Sequence, residues 1–183
     1  MRSALDDFHG VKVFDRQVYN DDRGNFSELY NARSIGKALN DIKFVQDNCS
    51  ISKYGVIRGF HYQLNPSAQS KLVTVIQGEV LDVILDLRRS SASFKKVFSI
   101  KLSAQNGKQL FIPKGFAHGF VTLSEQAIFH YKCDAFYNKE AEAGIKFDDP
   151  QLNVDWLVPK HDQVVSDKDK TLPLFDKAQY NFD

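Results

Sequence analysis

The sequence predicts an all-β protein, a sandwich or a barrel, and three observations carry that expectation. Apolar and polar residues alternate over many short stretches, the period of two that a half-buried strand requires. Turn signals break those stretches at intervals of roughly eight to twelve residues, with almost no helical pattern between them. The composition leans the same way, with fifteen Phe and seven Tyr against one Trp and one Met, and aromatic residues favour strands.

In chain order, Val11 to Tyr19 roughly alternates, and Asp-Asp-Arg-Gly at 21–24 reads as a turn in which Gly24 is free to take positive φ. Residues 26–30 (FSELY) alternate; as a strand they would set Phe26, Glu28 and Tyr30 on one face. Residues 31–40 are the best place for a short helix, with Ser34 as its N-cap. Phe44 to Ser50 reads as a strand with Phe44, Gln46 and Asn48 on one face. Residues 55–63 (GVIRGFHYQ) follow, then a polar loop. Residues 71–87 give the strongest structural signal, two apolar runs meeting at Gln77-Gly78, a hairpin signature.

In the second of those runs Leu81, Val83, Leu85 and Leu87 share a face, while Asp82 and Asp86 join Val80 and Ile84 on the other. A core strand does not accept such charges unpartnered. Phe98 to Leu102 alternates, residues 108–113 form a short strand stopped by Pro113, and residues 120–123 begin another. Ala127 to Cys133 sets Ala127, Phe129, Tyr131 and Cys133 on one face and Ile128, His130 and Lys132 on the other. From Asp148 onward the chain is rich in turns, and no repeat, low-complexity tract or linker interrupts it.

The 183 residues, 43% hydrophobic and 26% charged, predict one soluble domain spanning the chain. A net charge of +1 gives no basic surface for nucleic acid or an anionic membrane, so any phosphate must be gripped by a few placed cations. The first ten residues contain no apolar signal region and no later run approaches a membrane span, which predicts a cytoplasmic protein. Cys49 and Cys133 are far apart and form no CxxC pair, so both are expected reduced.

Chemistry concentrates in GVIRGFHYQ, where Arg58, an anion-gripping guanidinium, and His61, an imidazole able to take a proton near neutrality, lie close together in an apolar run. A second signal, Pro113-Lys-Gly115-Phe-Ala-His118, has the P-x-G-x-x-H form of the second cupin motif, which resembles the double-stranded β-helix, jelly-roll barrel fold with few short helices. Gly55 and His61 fit the first cupin motif, but Gln63 stands where its second His would be and no suitably spaced Glu follows. With His61 and His118 alone remaining of the ligand set, no metal is expected. His9, His130 and His161 are read as structural.

The ordered set QDN at 46–48, GVIRGFHYQ at 55–63, KLV at 71–73, GEVLDV at 78–83, IPKGFAHGF at 112–120, YK at 131–132, FDDP at 147–150 and SDKD at 166–169 spans nearly the whole chain. With it the sequence closely resembles the dTDP-4-dehydrorhamnose 3,5-epimerases, metal-free cupins that need no cofactor. The resemblance implies an isomerase acting on a nucleotide sugar with a ketone at C4, epimerising dTDP-4-dehydro-6-deoxy-D-glucose at C3 and C5 on the way to dTDP-L-rhamnose and cell-surface polysaccharide. In that reading His61 is the base, Asp169 of S-x-K-D orients it, Tyr131 is the acid on the opposite side, and Lys71 stabilises charge at the C4 oxygen. Asp167 is the alternative partner for His61.

The same resemblance assigns Arg23, Glu28, Gln46, Asn48, Arg58, His118, Glu142 and Lys168 to substrate contacts, with Phe26 a stacking face beside Glu28. It also implies a homodimer in which N-terminal strands reach the neighbour's site, and a C-terminal tail that covers the site. Asp82 is placed to orient a site histidine. The chain departs from the family's usual residues at Phe60, Phe111, Lys95-Lys96 and Phe136. These touch packing and pocket walls, so an epimerase specific for C3 or C5 on a related nucleotide-4-ketosugar stays open. From other classes, a cupin that only binds a nucleotide sugar and a metal-dependent cupin are the competing readings.

Overall fold

A computed structural model describes residues 8–40 and 42–183. Its strands are β1 (Lys12–Asp15), β2 (Val18–Asp21), β3 (Gly24–Ser27), β4 (Gln46–Lys53), β5 (Val56–Gln63), β6 (Lys71–Gln77), β7 (Glu79–Asp86), β8 (Val97–Ser103), β9 (Lys108–Ile112), β10 (Phe116–Thr122), β11 (Gln126–Cys133), β12 (Glu142–Gly144) and β13 (Val164–Val165). A five-stranded sheet runs β1-β9-β6-β11-β4 and a second runs β12-β5-β10-β7-β8, with β13 added parallel to β5. The two face each other as a jelly-roll barrel of the cupin kind. β2 and β3 form a separate hairpin closed at Asp21 and Gly24.

Alternation decides what lies inside. Val73, Val75, Leu110, Ile112 and Phe129 from the first sheet meet Val80, Ile84, Leu102, Phe116 and Phe120 from the second in one buried cluster between them. The opposite face of the second sheet, with Leu81, Val83, Leu85, Ala117 and Val121, is covered by Phe147, Trp156, Val158, Phe175 and Phe182 from the C-terminal third. That cover leaves the middle of the sheet buried on both sides, which is why all seven residues of β10 are buried. The outer face of the five-stranded sheet is covered in part: Leu39 and Ile35 pack on Leu72 and Phe111, while Ile51 and Ile76 stay exposed.

Several local expectations are corrected. Gln77-Gly78 is not a hairpin, because β6 pairs with β9 and β11 whereas β7 pairs with β8 and β10. Gly78 (φ +78°) instead passes the chain from one sheet to the other, at a corner so tight that a Cβ there would lie 2.1 Å from the Gln126 carbonyl oxygen. Turn chemistry reports a local reversal, not the partner on the far side. Val11 to Tyr19 divides into β1 and β2, and the 26–30 strand ends at Ser27. The helical segment begins with a wide turn at Ala32–Gly36, capped by Asn31 rather than Ser34: the Asn31 side chain accepts the Arg33 N–H. Phe44 precedes β4 and packs edge-on against Tyr30, 5.4 Å away, outside the barrel.

Candidate active site

The mouth of the barrel encloses a cavity of about 420 Å³ lined from both sheets. Its six-stranded wall is set by an irregularity in β5. Along β10 the step from His118 to Phe120 is two residues, but their partners on β5 are His61 and Arg58, so β5 carries one extra residue. Without that bulge a spacing of three would send Arg58 and His61 to opposite faces; with it both line the cavity. Glycine makes the bulge possible: Gly59 has φ +122°, and a Cβ on it would fall 2.5 Å from Gly119 Cα.

Each histidine on this wall is joined to a carboxylate. His61 Nε2 lies 2.7 Å from Asp169 Oδ1. Asp169 sits on α1 (Asp167–Lys170), a single helical turn whose N-cap Ser166 accepts the Asp169 N–H. The other oxygen, Oδ2, accepts the Gly59 N–H at 3.2 Å. Burial opposes the charge on Asp169, yet His61, the Gly59 N–H and Ser166 together hold its carboxyl below the ordinary value. Asp167 points to solvent and pairs with Lys170. His118 Nε2 lies 2.9 Å from Asp82 Oδ2, and this pair is buried inside the barrel. The charge that looked misplaced on β7 is thus a histidine's partner, and Asp86 is likewise matched, by Arg88, Ser91 and Ser93.

The five-stranded wall is built in rows. Tyr131 on β11 lies opposite Asn48 on β4, and the next inward row sets Cys133 between Gln46 and Lys71. Lys71, Tyr131, Gln46, Asn48 and Ser50 all line the cavity. Among the described residues Lys71 has no carboxylate within ion-pair distance, and neither does Arg58, whose Nε donates to Ser52 at 3.1 Å. Burial pushes the Lys71 ammonium below the usual lysine range, and burial raises the Tyr131 phenol.

At the rim Glu142 Oε1 pairs with Lys168 at 2.7 Å, and Glu142 Oε2 accepts the Tyr137 hydroxyl at 3.0 Å. Burial works against the Glu142 charge, but Lys168 and Tyr137 outweigh it and hold the carboxyl low.

The structure therefore brings together His61, Tyr131, Lys71, Gln46, Asn48, Arg58, His118 and Glu142 around one cavity, with Asp169 behind His61 and Lys168 at the rim. Arg23, Phe26 and Glu28 are not among the lining residues. Arg23 is paired with Asp21 at 2.6 Å, Phe26 is 70% exposed, and Glu28 accepts from Asn31. The tail's cover lies on the outer face of the six-stranded sheet, and α1 reaches the cavity's edge.

Sequence reasoning missed Tyr137, Ser50 and Gln69. Ser50 follows from continuing the Gln46–Asn48 alternation by one step. Gln69 and Tyr137 lie between strands and carry no periodic signal.

A family model described as dTDP-4-dehydrorhamnose 3,5-epimerase matches residues 6–177. A curated relative of that name from Shigella flexneri is 46% identical over 171 residues, 93% of each chain. The crystal structure of a dTDP-4-dehydrorhamnose 3,5-epimerase from Elizabethkingia anophelis superposes with TM-score 0.88 at 45% identity, covering 98% of this chain and 97% of the other. A dTDP-6-deoxy-D-glucose-3,5-epimerase from Legionella pneumophila, solved in complex with dTDP-4-keto-L-rhamnose, matches with TM-score 0.88 at 41% identity over 97% of this chain and 92% of that one.

Proposed function

The chain belongs to the dTDP-4-dehydrorhamnose 3,5-epimerase family, and on that premise we propose how its cavity inverts C3 and C5 of dTDP-4-dehydro-6-deoxy-D-glucose to give dTDP-4-dehydro-L-rhamnose. The observation that carries the reading is the division of labour between walls: the His61–Asp169 pair on one, Tyr131 and Lys71 on the other. Protons at C3 and C5 are acidic because each carbon is α to the C4 ketone. His61 removes one, and the electron pair of the broken C–H bond moves into the enolate, placing negative charge on the C4 oxygen.

Lys71, a half-buried cation with no carboxylate within ion-pair distance among the described residues, stabilises that oxygen as charge develops. Tyr131, kept protonated by burial, then delivers a proton to the opposite face of the same carbon. Solvent resets the phenolate and the imidazolium before the second carbon reacts. Asp169 holds the imidazole orientation and stabilises its charged form.

Arg58 and the amides of Gln46 and Asn48 suit the diphosphate and nucleoside, since a guanidinium grips phosphate oxygens bidentately. A homodimer completes the reading: the β2–β3 hairpin would carry Arg23, Phe26 and Glu28 to a neighbour's cavity, and the exposed Ile51 and Ile76 support a second copy against the five-stranded sheet. Free thiols at Cys49 and Cys133 suit a reducing cytoplasm.

Turnover in deuterated water tests the proposal. We expect deuterium at both C3 and C5, and a loss of roughly 10⁴-fold in turnover for His61→Ala. Label at one carbon alone would make this a mono-epimerase, and unchanged turnover in the variant would remove His61 as the base.

A further inference from the structure

Resting on that reading, we infer that Gln63 is a positioning residue, which fastens a strap carrying Tyr137 across the mouth of the cavity. Gln63 follows His61 by two positions on β5, so it shares the inner face, and it is only 5% exposed. Its amide is fully engaged. The oxygen accepts the Asn138 N–H at 2.7 Å, and the nitrogen donates to the Ser67 carbonyl at 2.6 Å and the Phe136 carbonyl at 3.2 Å.

Two further bonds hold the same strap. Gln69 Nε2 donates to the Ala135 carbonyl at 2.8 Å, and the Ser70 N–H to Asp134 Oδ1 at 2.6 Å. The strap then reaches the other wall, where the Tyr137 N–H donates to Gln46 Oε1 at 2.9 Å, and it touches the rim through Tyr137 and Glu142.

The side-chain type follows from that geometry. A carboxylate would keep the acceptor and lose both donors, a methionine would keep the volume and lose all three bonds, and an asparagine is one methylene short. The position that would hold a metal ligand in a metal-binding cupin serves here to hold a loop. Its action is on binding at the mouth, away from the proton-transfer atoms.

The test is a series of Gln63→Met and Gln63→Glu in the wild-type and Tyr137→Ala backgrounds. It reads kcat and KM for dTDP-4-dehydro-6-deoxy-D-glucose, the dissociation constant for dTDP, and hydrogen exchange at the Asn138 amide. For Gln63→Met we expect KM and the dTDP dissociation constant to rise about tenfold, and amide exchange to quicken about tenfold, with kcat within about twofold. Gln63→Glu should fall between, since burial against the Ser67 and Phe136 carbonyls favours its protonated form, which keeps the acceptor for Asn138 and one donor. It decides the question alone where the methionine variant does not fold.

In the Tyr137→Ala background the Gln63 substitution should add less than about twofold, because its route to the substrate is gone. Multiplicative losses, a fall in kcat at constant KM, or unchanged exchange at Asn138 would overturn the inference. A wild-type protein that turned over no 4-keto sugar would sink the epimerase reading instead, while the dTDP and exchange measurements would still judge Gln63.

Discussion

The two walls of the cavity differ in how their charges are settled. On the six-stranded wall each histidine has its own carboxylate, Asp169 for His61 and Asp82 for His118. On the five-stranded wall Lys71 and Tyr131 face the cavity, among amides and the Ser50 hydroxyl, with no carboxylate bonded to either among the described residues. Their backing differs too, since the first wall is covered by the C-terminal third and the second only in part. A proton acceptor needs an oriented, charge-stabilised ring, and that takes layers of support. An electrophile for a developing oxyanion gains most when nothing but the substrate satisfies it. On the proposed mechanism, then, one wall is finished before substrate arrives and the other is completed by it.

After His61→Ala, the largest effect should come from the unfinished wall. Lys71→Met removes the only cation proposed at the C4 oxygen and should lower kcat by about 10²–10³-fold. Because burial lowers the Lys71 pKa, its charge is lost as pH rises through a value below the ordinary lysine range. The wild-type rate should therefore fall on the alkaline side earlier than a surface lysine would allow. Lys71→Arg, always charged, should lose that limb; an identical pH–rate profile in both would show that this wall does not depend on the amine.

Tyr131→Phe separates the walls more finely. It leaves the acceptor side whole, so exchange of substrate hydrogen with deuterated solvent should continue while inverted product falls by about 10²-fold. Loss of exchange and inversion together would mean that the walls do not divide the two proton transfers.

The smallest effect is expected for Asp169→Asn, which keeps shape but not charge, and should reduce kcat/KM by tens of fold. It also carries a pH signature in stability. The folded-state pKa of Asp169 is lowered, so its contribution is present above the unfolded carboxylate value and is lost as pH falls through the lower folded value. Urea melts should accordingly show wild type more stable than the variant at neutral pH and the two converging in acid. A gap that persists in acid would assign the stability to packing.

Much of the barrel was legible because alternation is a backbone property. The same period that made Phe129 and Tyr131 neighbours on one face made them cavity residues, and Gln46 with Asn48 followed equally. Arg58 and His61 were harder, since a spacing of three contradicts a shared face until Gly59 and the bulge are known. The sheet switch at Gly78 was invisible for a different reason. A turn signal is local, whereas the choice of β9 and β11 over β7 as partners for β6 is made by residues far along the chain.

Asn31 took the cap from Ser34 because the helical segment starts earlier than its apolar pattern suggests. Tyr137 was hidden altogether: what places it is a set of side-chain-to-backbone bonds from Gln63, Gln46 and Gln69, and no periodicity encodes those.

The partnership between His61 and Asp169 spans 108 positions in the chain, which has a consequence for the life of the protein on the ribosome. At bacterial-type elongation rates of about 5–20 residues per second, the histidine is synthesised some 5 to 20 seconds before its carboxylate exists. Through that interval β6 to β13 are delivered to the two sheets, and the imidazole has no orienting partner. On the proposed mechanism the base therefore gains its orienting carboxylate late in synthesis, and a nascent chain stalled between β12 and α1 would hold a nearly complete barrel with that carboxylate still missing.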